Sequence, residues 1–222
     1  MYPGGKGKTF HHLVNLMPPH HRYIEPYLGS GAVLRKKLPA TENIGNDLDT
    51  RCIKSLEGLS NVTFYNEDAL TLLARLPLDE KTLVYCDPPY VASTRKKEKI
   101  YKYEYSDEQH EQLLKFLIRQ DCMVMISGYE CKLYRDYLVD WNKVHFNSQT
   151  QSGVREETIW FNFQPPSQLH DNRYIGCNFR ERQVIKRRQE RLKRKFQNMD
   201  PIERSIFFEW LRSEYPQYGE QI

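Results

Sequence analysis

The sequence predicts an α/β fold: a doubly wound, mostly parallel sheet of seven strands that ends in an antiparallel hairpin and is followed by a basic helical extension. Three observations predict it. Short apolar runs alternate with helix-like segments five times in succession, a pattern that imposes parallel pairing with helical crossovers. Two further strand-like runs follow with no helix between them, so they pair as a hairpin. A proline pair and a long segment rich in Lys and Arg then close the chain's pattern.

The units follow one another in order. RYIEPYLGSG precedes AVLRKKL, ENIGND precedes LDTRCIKSLEGL, and NVTFYNED precedes ALTLLARL. TLVYCDPPY leads to a helix near DEQHEQLLKFLIR, and CMVMISGYE leads to CKLYRDYLVD. NKVHFNSQ and EETIWFNFQ are the hairpin strands. A body spanning residues 1–165 is expected, because two prolines in Gln164-Pro165-Pro166-Ser167 lack amide donors and cannot continue a central strand. Residues 166–222 form the extension. It holds a polar helix from Asn178 to Gln197 and a second one from Asp200, with Pro201 at its start and Ile202, Ile206, Phe207 and Trp210 as apolar positions.

At 222 residues, 39% hydrophobic and 28% charged, the chain has the make-up of a globular protein with a sizeable core. It contains no run of eighteen apolar residues and no apolar leader at its N-terminus, so a cytosolic protein without a membrane partner is expected. Five scattered cysteines, with no C-x-x-C pair, read as reduced, buried and chemically idle thiols. The histidine pairs His11-His12 and His20-His21 suggest no metal site, since adjacent side chains seldom point at one ion. The net charge of +4 conceals an asymmetry. From Arg180 to Lys195 nine basic residues face two acidic ones, a local +7 that leaves −3 on the rest, as for a body that grips a polyanion by one basic element.

The opening MYPGGKGKTF contains Gly7-Lys8-Thr9 but is no phosphate-binding P-loop. The glycine that motif needs is replaced by Tyr2, and no strand precedes it. The candidate site lies elsewhere, because ligands of open parallel sheets bind beyond the carboxyl ends of the strands. The first strand ends in Glu25-Pro26-Tyr27-Leu28-Gly29-Ser30-Gly31, a tight glycine turn. Leu34 stands where the dinucleotide fingerprint has its third glycine, so a pyrophosphate is not favoured. The second strand ends in Asn46-Asp47, placed to accept two hydrogen bonds from a ribose diol. The third ends in Glu67-Asp68-Ala69, where Asp68 suits an exocyclic adenine amine. Either acid alone also suits a helix N-cap, but together with the glycine turn they describe an adenosine pocket.

The fourth strand supplies Asp87-Pro88-Pro89-Tyr90. The prolines leave the Pro88 carbonyl free beside the Asp87 carboxylate, and Tyr90 offers a face for stacking. Two acceptors beside an aromatic suit a planar amine such as N6 of adenine: accepting both N–H bonds restores electron density to a nitrogen that must attack a methyl group.

On these residues the chain resembles the Dam-like, D12-class DNA adenine N6-methyltransferases, whose fold is a Rossmann-like methyltransferase sheet. The resemblance spans about residues 1–163. It rests on Tyr2-Pro3-Gly4-Gly5-Lys6, the Glu25–Gly31 turn, Asp47, Asp68, the Asp87–Tyr90 tetrapeptide, Ile126-Ser127-Gly128-Tyr129 and Glu157-Thr158-Ile159-Trp160, in the family's order. It implies S-adenosyl-L-methionine as methyl donor, S-adenosyl-L-homocysteine as product and no metal. It also implies that Tyr2, Gly5 and Lys6 line the donor, with Lys6 near its carboxylate end, together with Glu25, Pro26, Tyr27, Gly29, Ser30, Gly31, Asp47, Asp68, Ala69 and Asp87. Asp87, Pro88, Pro89 and Tyr90 are the catalytic set.

Larger members carry a target-recognition region between the Asp68 and Asp87 motifs. Here only eighteen residues separate the two acids, enough for one helix and one strand. Readout of sequence is therefore expected to be relaxed or very short. Two basic elements are expected at the DNA. The first, after the tetrapeptide, interleaves Arg95, Lys96, Lys97, Lys99 and Lys102 with Tyr101 and Tyr103, suited to phosphates and a displaced base. The second is the segment with Arg180, Arg182, Lys186, Arg187, Arg188 and Arg191, suited to backbone contact. Double-stranded DNA is the expected partner; single-stranded DNA and RNA stay open. A non-catalytic nucleic-acid-binding protein is opposed by the intact set of Lys6, Asp47, Asp68, Asp87 and Tyr90.

Overall fold

The computed structural model describes residues 5–95, 101–150 and 153–216. Among them a seven-stranded sheet runs in the order β3-β2-β1-β4-β5-β7-β6. β1 (Arg22–Glu25), β2 (Glu42–Asn46), β3 (Thr63–Tyr65), β4 (Thr82–Cys86) and β5 (Met123–Gly128) pair in parallel. β7 (Gly153–Phe161) pairs antiparallel with both β5 and β6 (Asn142–Thr150). The mixed sheet agrees with the predicted fold class. β4 is central and buried at every residue, which is why it reads as an unbroken apolar run.

Alternation along each strand assigns side chains to two cores. Ile24, Ile44, Val84, Val124 and Ile126 meet α4 (Ala69–Arg75), α5 (Asp107–Leu117) and α6 (Lys132–Tyr137) through Leu72, Leu113, Leu117 and Tyr134. Tyr23, Leu83, Tyr85, Met125 and Ile159 meet α1 (Phe10–Val14), α2 (Ala32–Lys36) and α3 (Thr50–Lys54) through Leu13, Val33, Leu34 and Ile53. The helices start at side-chain caps. Asp49 accepts from the Arg51 amide for α3, Asp68 from Thr71 for α4, and Ser106 forms a reciprocal capping box with Gln109 for α5. The chain leaves β1 toward β2 on one side and β4 lies on the other, so the crevice expected of such sheets opens where these carboxyl ends meet.

Two features differ from the sequence reading. Residues 6–14, to which the pattern assigned no element, form a 3-10 turn (Lys6–Lys8) and α1. Five residues are too few for a helical period to register; fully buried Leu13 and Val14 hold this helix in place. Cys177 is exposed rather than buried, because it lies outside both cores; Cys52, Cys86 and Cys122 are buried and Cys131 is half-buried.

The chain divides into two compact units, Met1–Tyr174 and Ile175–Ile222. Segment 170–174 belongs to the first: the His170 amide donates to Met17 O, the Leu38 amide to Asp171 Oδ2, and Arg173 to Lys36 O. The second unit holds α7 (Phe179–Gln197), capped by Asn178, and α8 (Pro201–Glu214), capped by Asp200 with Pro201 in its first turn. Phe196 packs on Phe207 and Phe208 within it, while Ile202 and Ile206 are exposed. Among the described residues no helix is long and apolar enough to cross a membrane.

Candidate active site

The carboxyl ends of β1, β2, β3 and β4 surround a cavity of about 400 Å³. The turn after β1 forms one wall. Gly29 and Gly31 take φ of 51° and 60°, left-handed values that favour glycine. The Leu28 amide donates to Asn46 O (2.9 Å), the Gly29 amide to Asp47 Oδ2 (2.7 Å) and the Gly31 amide to Leu28 O (2.7 Å). Asn46 joins three strand ends: its Nδ2 donates to Pro26 O and Glu67 O, and its Oδ1 accepts from the Glu67 amide.

Glu25, Pro26, Tyr27, Gly29, Ser30, Asp47, Asp68 and Ala69 line this cavity together with Gly5 and Lys6. Gly31 is behind the wall, where its missing Cβ would lie 2.5 Å from Leu56 Cδ1. Asp47 is buried, and its other oxygen accepts from the Asp49 amide (2.8 Å). Burial raises its pKa above the ordinary value, against the pull of the Asp49 and Gly29 amides. Asp68 both lines the cavity and caps α4 through Oδ1, so the N-cap role and a facing role coexist in one carboxylate. Glu25 is buried, and its Oε2 accepts from the Tyr23 hydroxyl (2.9 Å) and the Leu34 amide (3.1 Å). Burial pushes its pKa up to about 8, the Tyr23 hydrogen bond opposing, so Glu25 holds a proton at neutral pH.

β4 delivers Asp87, Pro88, Pro89 and Tyr90 to the same cavity. Asp87 is not alone there. Lys6 Nζ donates to Asp87 Oδ1 (2.8 Å) and to the Tyr90 hydroxyl (2.6 Å), which donates in turn to Glu157 Oε2 (2.9 Å); Nζ lies 3.3 Å from that oxygen. The Lys6 and Glu157 side chains are 4% and 5% exposed against 19% for Asp87, so Asp87 is the most exposed of the three charges; Asp87 and Lys6 line the cavity and Glu157 does not. Burial by itself lowers the Lys6 pKa, but the Asp87 and Glu157 carboxylates outweigh it and hold the ammonium charged. Burial raises Asp87 to about 6, with Lys6 pulling it back. Lys6, expected among the donor-lining residues, lines the cavity, and its buried ammonium is held by partners within the protein, Asp87 and Glu157.

The segment after the tetrapeptide divides. Tyr101, Lys102, Tyr103 and Tyr105 line the cavity, tied down by the Tyr27–Tyr105 hydroxyl pair (2.9 Å) and by Lys102 approaching Asp49 Oδ1 (3.6 Å). Arg95, expected at DNA phosphates, is instead an internal strut. Its side chain is 3% exposed and forks onto Glu104 at 3.1 and 2.6 Å, which also fixes the Tyr101 amide. Tyr2, Lys96, Lys97 and Lys99 lie outside the described residues. In the second unit Arg180, Lys186, Arg187, Arg188 and Arg191 are exposed, and half-buried Arg182 donates to Gly176 O. Among the described residues no cluster of three or more His, Cys, Asp or Glu side chains suits a metal ion.

A family model described as D12 class N6 adenine-specific DNA methyltransferase matches residues 2–61 and 53–152, more than half of the chain. The chain belongs to this family. No curated protein matches the D12-class chain by sequence. Among solved structures, the N-methyltransferase NodS from Bradyrhizobium japonicum WM9 superposes with a TM-score of 0.50 at 10% identity, covering 72% of this chain and all of the other. Precorrin 8w decarboxylase of Methanobacterium thermoautotrophicum gives 0.49 at 13% identity, over 73% and 94%. An rRNA methylase from Streptococcus thermophilus gives 0.48 at 11%, over 68% and 93%. The likeness to NodS is one of fold: a methyltransferase sheet under the tetrapeptide.

Asn46 and Glu157 carry no role in the sequence reading, yet both organise the site. Glu157 carries a signal, a polar side chain among apolar ones: it shares one face of β7 with Ile159 and Phe161, and all three are buried. Asn46, in contrast, ends a strand that already holds Glu42 and Asn43 and is not set apart by its pattern.

Proposed function

We propose that this D12-class enzyme transfers a methyl group from S-adenosylmethionine to N6 of a flipped-out adenine in double-stranded DNA, with relaxed or very short sequence preference. The reading rests on one observation: Asp87, Pro88 and Tyr90 line the same cavity as Gly29, Asp47 and Asp68. The donor's chemistry fits the groups present. Asp47 and Asp68 are acceptors for ribose hydroxyls and an exocyclic amine, and the glycine turn admits a close backbone approach. When bound, S-adenosylmethionine supplies an electrophilic methyl group on a sulfonium.

The chain's own residues do the rest. Asp87 and the Pro88 carbonyl accept the two N6–H bonds and keep lone-pair density on nitrogen, while the Tyr90 ring borders the base. Their work is alignment plus electrostatic support for the charge that develops on nitrogen. Flipping costs a few kcal/mol, offset by these contacts. The exposed basic side chains of α7 supply backbone contacts that carry affinity without sequence information. Relaxed preference is supported by the short span between Asp68 and Asp87, which α4 and β4 fill apart from the connection 76–81.

The test is methyl incorporation into duplex DNA, single-stranded DNA and RNA, with calorimetry for S-adenosylmethionine. Duplex DNA is expected to be the best acceptor, and digestion by enzymes sensitive to N6-methyladenine should find modification in many contexts. Modification restricted to one site of about four bases or more would refute relaxed preference. Asp87→Ala is expected to abolish turnover and keep DNA binding; substantial residual turnover would sink the mechanism.

A further inference from the structure

Glu157 does not line the cavity, and it is the second carboxylate on the Lys6 ammonium. We propose that Glu157 is a positioning residue for methyl transfer: by holding Lys6 and the Tyr90 hydroxyl from behind, it divides the lysine's charge between two carboxylates, so that Asp87 keeps its strength as an acceptor for the nitrogen it grips. This rests on the function proposed above and assigns the control of Asp87 to a residue that contacts neither substrate.

The geometry carries the argument. One ammonium bridges Asp87 Oδ1 at 2.8 Å and Glu157 Oε2 at 3.3 Å, and the Tyr90 hydroxyl accepts from Lys6 while donating to Glu157. The result is a closed arrangement of two acids, one base and one hydroxyl, almost wholly removed from water. A lone Lys6–Asp87 pair there would turn the full ammonium field onto Asp87, making it a poor acceptor and a poor base. Glu157 offsets that field. It also accepts from Tyr90, fixing the hydroxyl end of a ring that lines the cavity.

The other groups near Asp87 do not reproduce this effect. Glu25 from β1 is protonated at neutral pH, Tyr85 and Cys86 from β4 and Tyr134 from α6 hold their protons well above it, and Tyr101 titrates only at about 12. Among these described groups Glu157 and Lys6 are the ones left to set the charge that Asp87 meets. Burial places Asp87 near 6 with Lys6 lowering and Glu157 raising it, so its ionisation falls within an accessible assay range.

The experiment is steady-state methylation by the full chain, with Glu157→Gln, Glu157→Asp and Lys6→Met as variants, from about pH 5 to about pH 9. In the wild type the acid limb of kcat is expected near the Asp87 value of about 6. Glu157→Gln removes a like charge from Asp87, so the limb should move to lower pH by about half a unit or more. Its plateau kcat should fall by about tenfold, with KM for DNA and for S-adenosylmethionine within about threefold of wild type. Glu157→Asp keeps the charge and should keep the limb and most of kcat. If Glu157 acts through Lys6, adding Glu157→Gln to Lys6→Met should cost little more than Lys6→Met alone. An unshifted limb, a Glu157→Asp loss as large as that of Glu157→Gln, or fully additive losses would overturn the inference. A wild type that methylates no adenine at all overturns the proposed function instead.

Discussion

Gly31→Ala probes the glycine turn behind one wall of the cavity, and the structure fixes its cost. Gly31 has φ of 60°, where an L side chain crowds the following carbonyl, at roughly 1–2 kcal/mol. Its new Cβ would lie 2.5 Å from Leu56 Cδ1 and 3.3 Å from Cδ2. Leu56 is 3% exposed and packed in the core beneath α2 and α3, so it has little room to retreat; overpacking of this kind costs about 1–3 kcal/mol. Together these give about 2–5 kcal/mol, a large share of the roughly 5–15 kcal/mol that holds a domain folded. At roughly 2–4 °C per kcal/mol for a chain of this length, the melting temperature should fall by about 4–20 °C. Thermal unfolding followed by near-ultraviolet circular dichroism measures it. Gly58→Ala is the control: its Cβ meets open space and its φ is not left-handed, so its melting temperature should stay within about 2 °C of wild type. A Gly31→Ala variant that melts as the wild type does would refute the claim that this turn requires glycine.

Two further outcomes follow from charge. Glu25 has its pKa raised from 4.5 to about 8, so the native state keeps a proton that the unfolded chain has released. Stability therefore falls as pH rises through that window, and Glu25→Gln should flatten the fall, since both native hydrogen bonds go to one oxygen that an amide carbonyl can replace. Asp87 adds a smaller fall up to about 6, and Lys37, lowered to about 7, adds an opposing rise above that value; urea melts at several pH values in both proteins would expose an unaltered slope, which is the contrary result. Replacing Arg187, Arg188 and Arg191 by Glu should weaken duplex binding and lower the salt dependence by roughly one unit of slope for each phosphate no longer neutralised, leaving kcat at saturating DNA unchanged. Equal salt slopes in filter binding would remove α7 from the DNA interface.

Much of the site was legible because its parts are local. The Glu25–Gly31 turn, Asp47, Asp68 and the Asp87–Tyr90 tetrapeptide each stand within a few residues of an apolar run, and a parallel sheet puts such residues at one edge. The strands and most helices were legible for the same reason, since a period of two or of 3.6 is written in consecutive residues. α1 was not, being too short to show a period. Nor was the role of Arg95: a basic residue in a basic loop looks solvated until Glu104, nine positions on, folds back to bury it.

The sequence by itself determined the classes of elements, their succession, and which side chains emerge where strands end, because backbone periodicity and turn chemistry act over a few residues. Only the tertiary structure decided which charges meet. Lys6 reaches Asp87 and Glu157 across 81 and 151 positions of chain, and Asn46 joins three strand ends, because β7 pairs beside β5 and β1 lies between β2 and β4. Partners of buried charges follow from strand order, and strand order is set by how all the apolar faces pack at once.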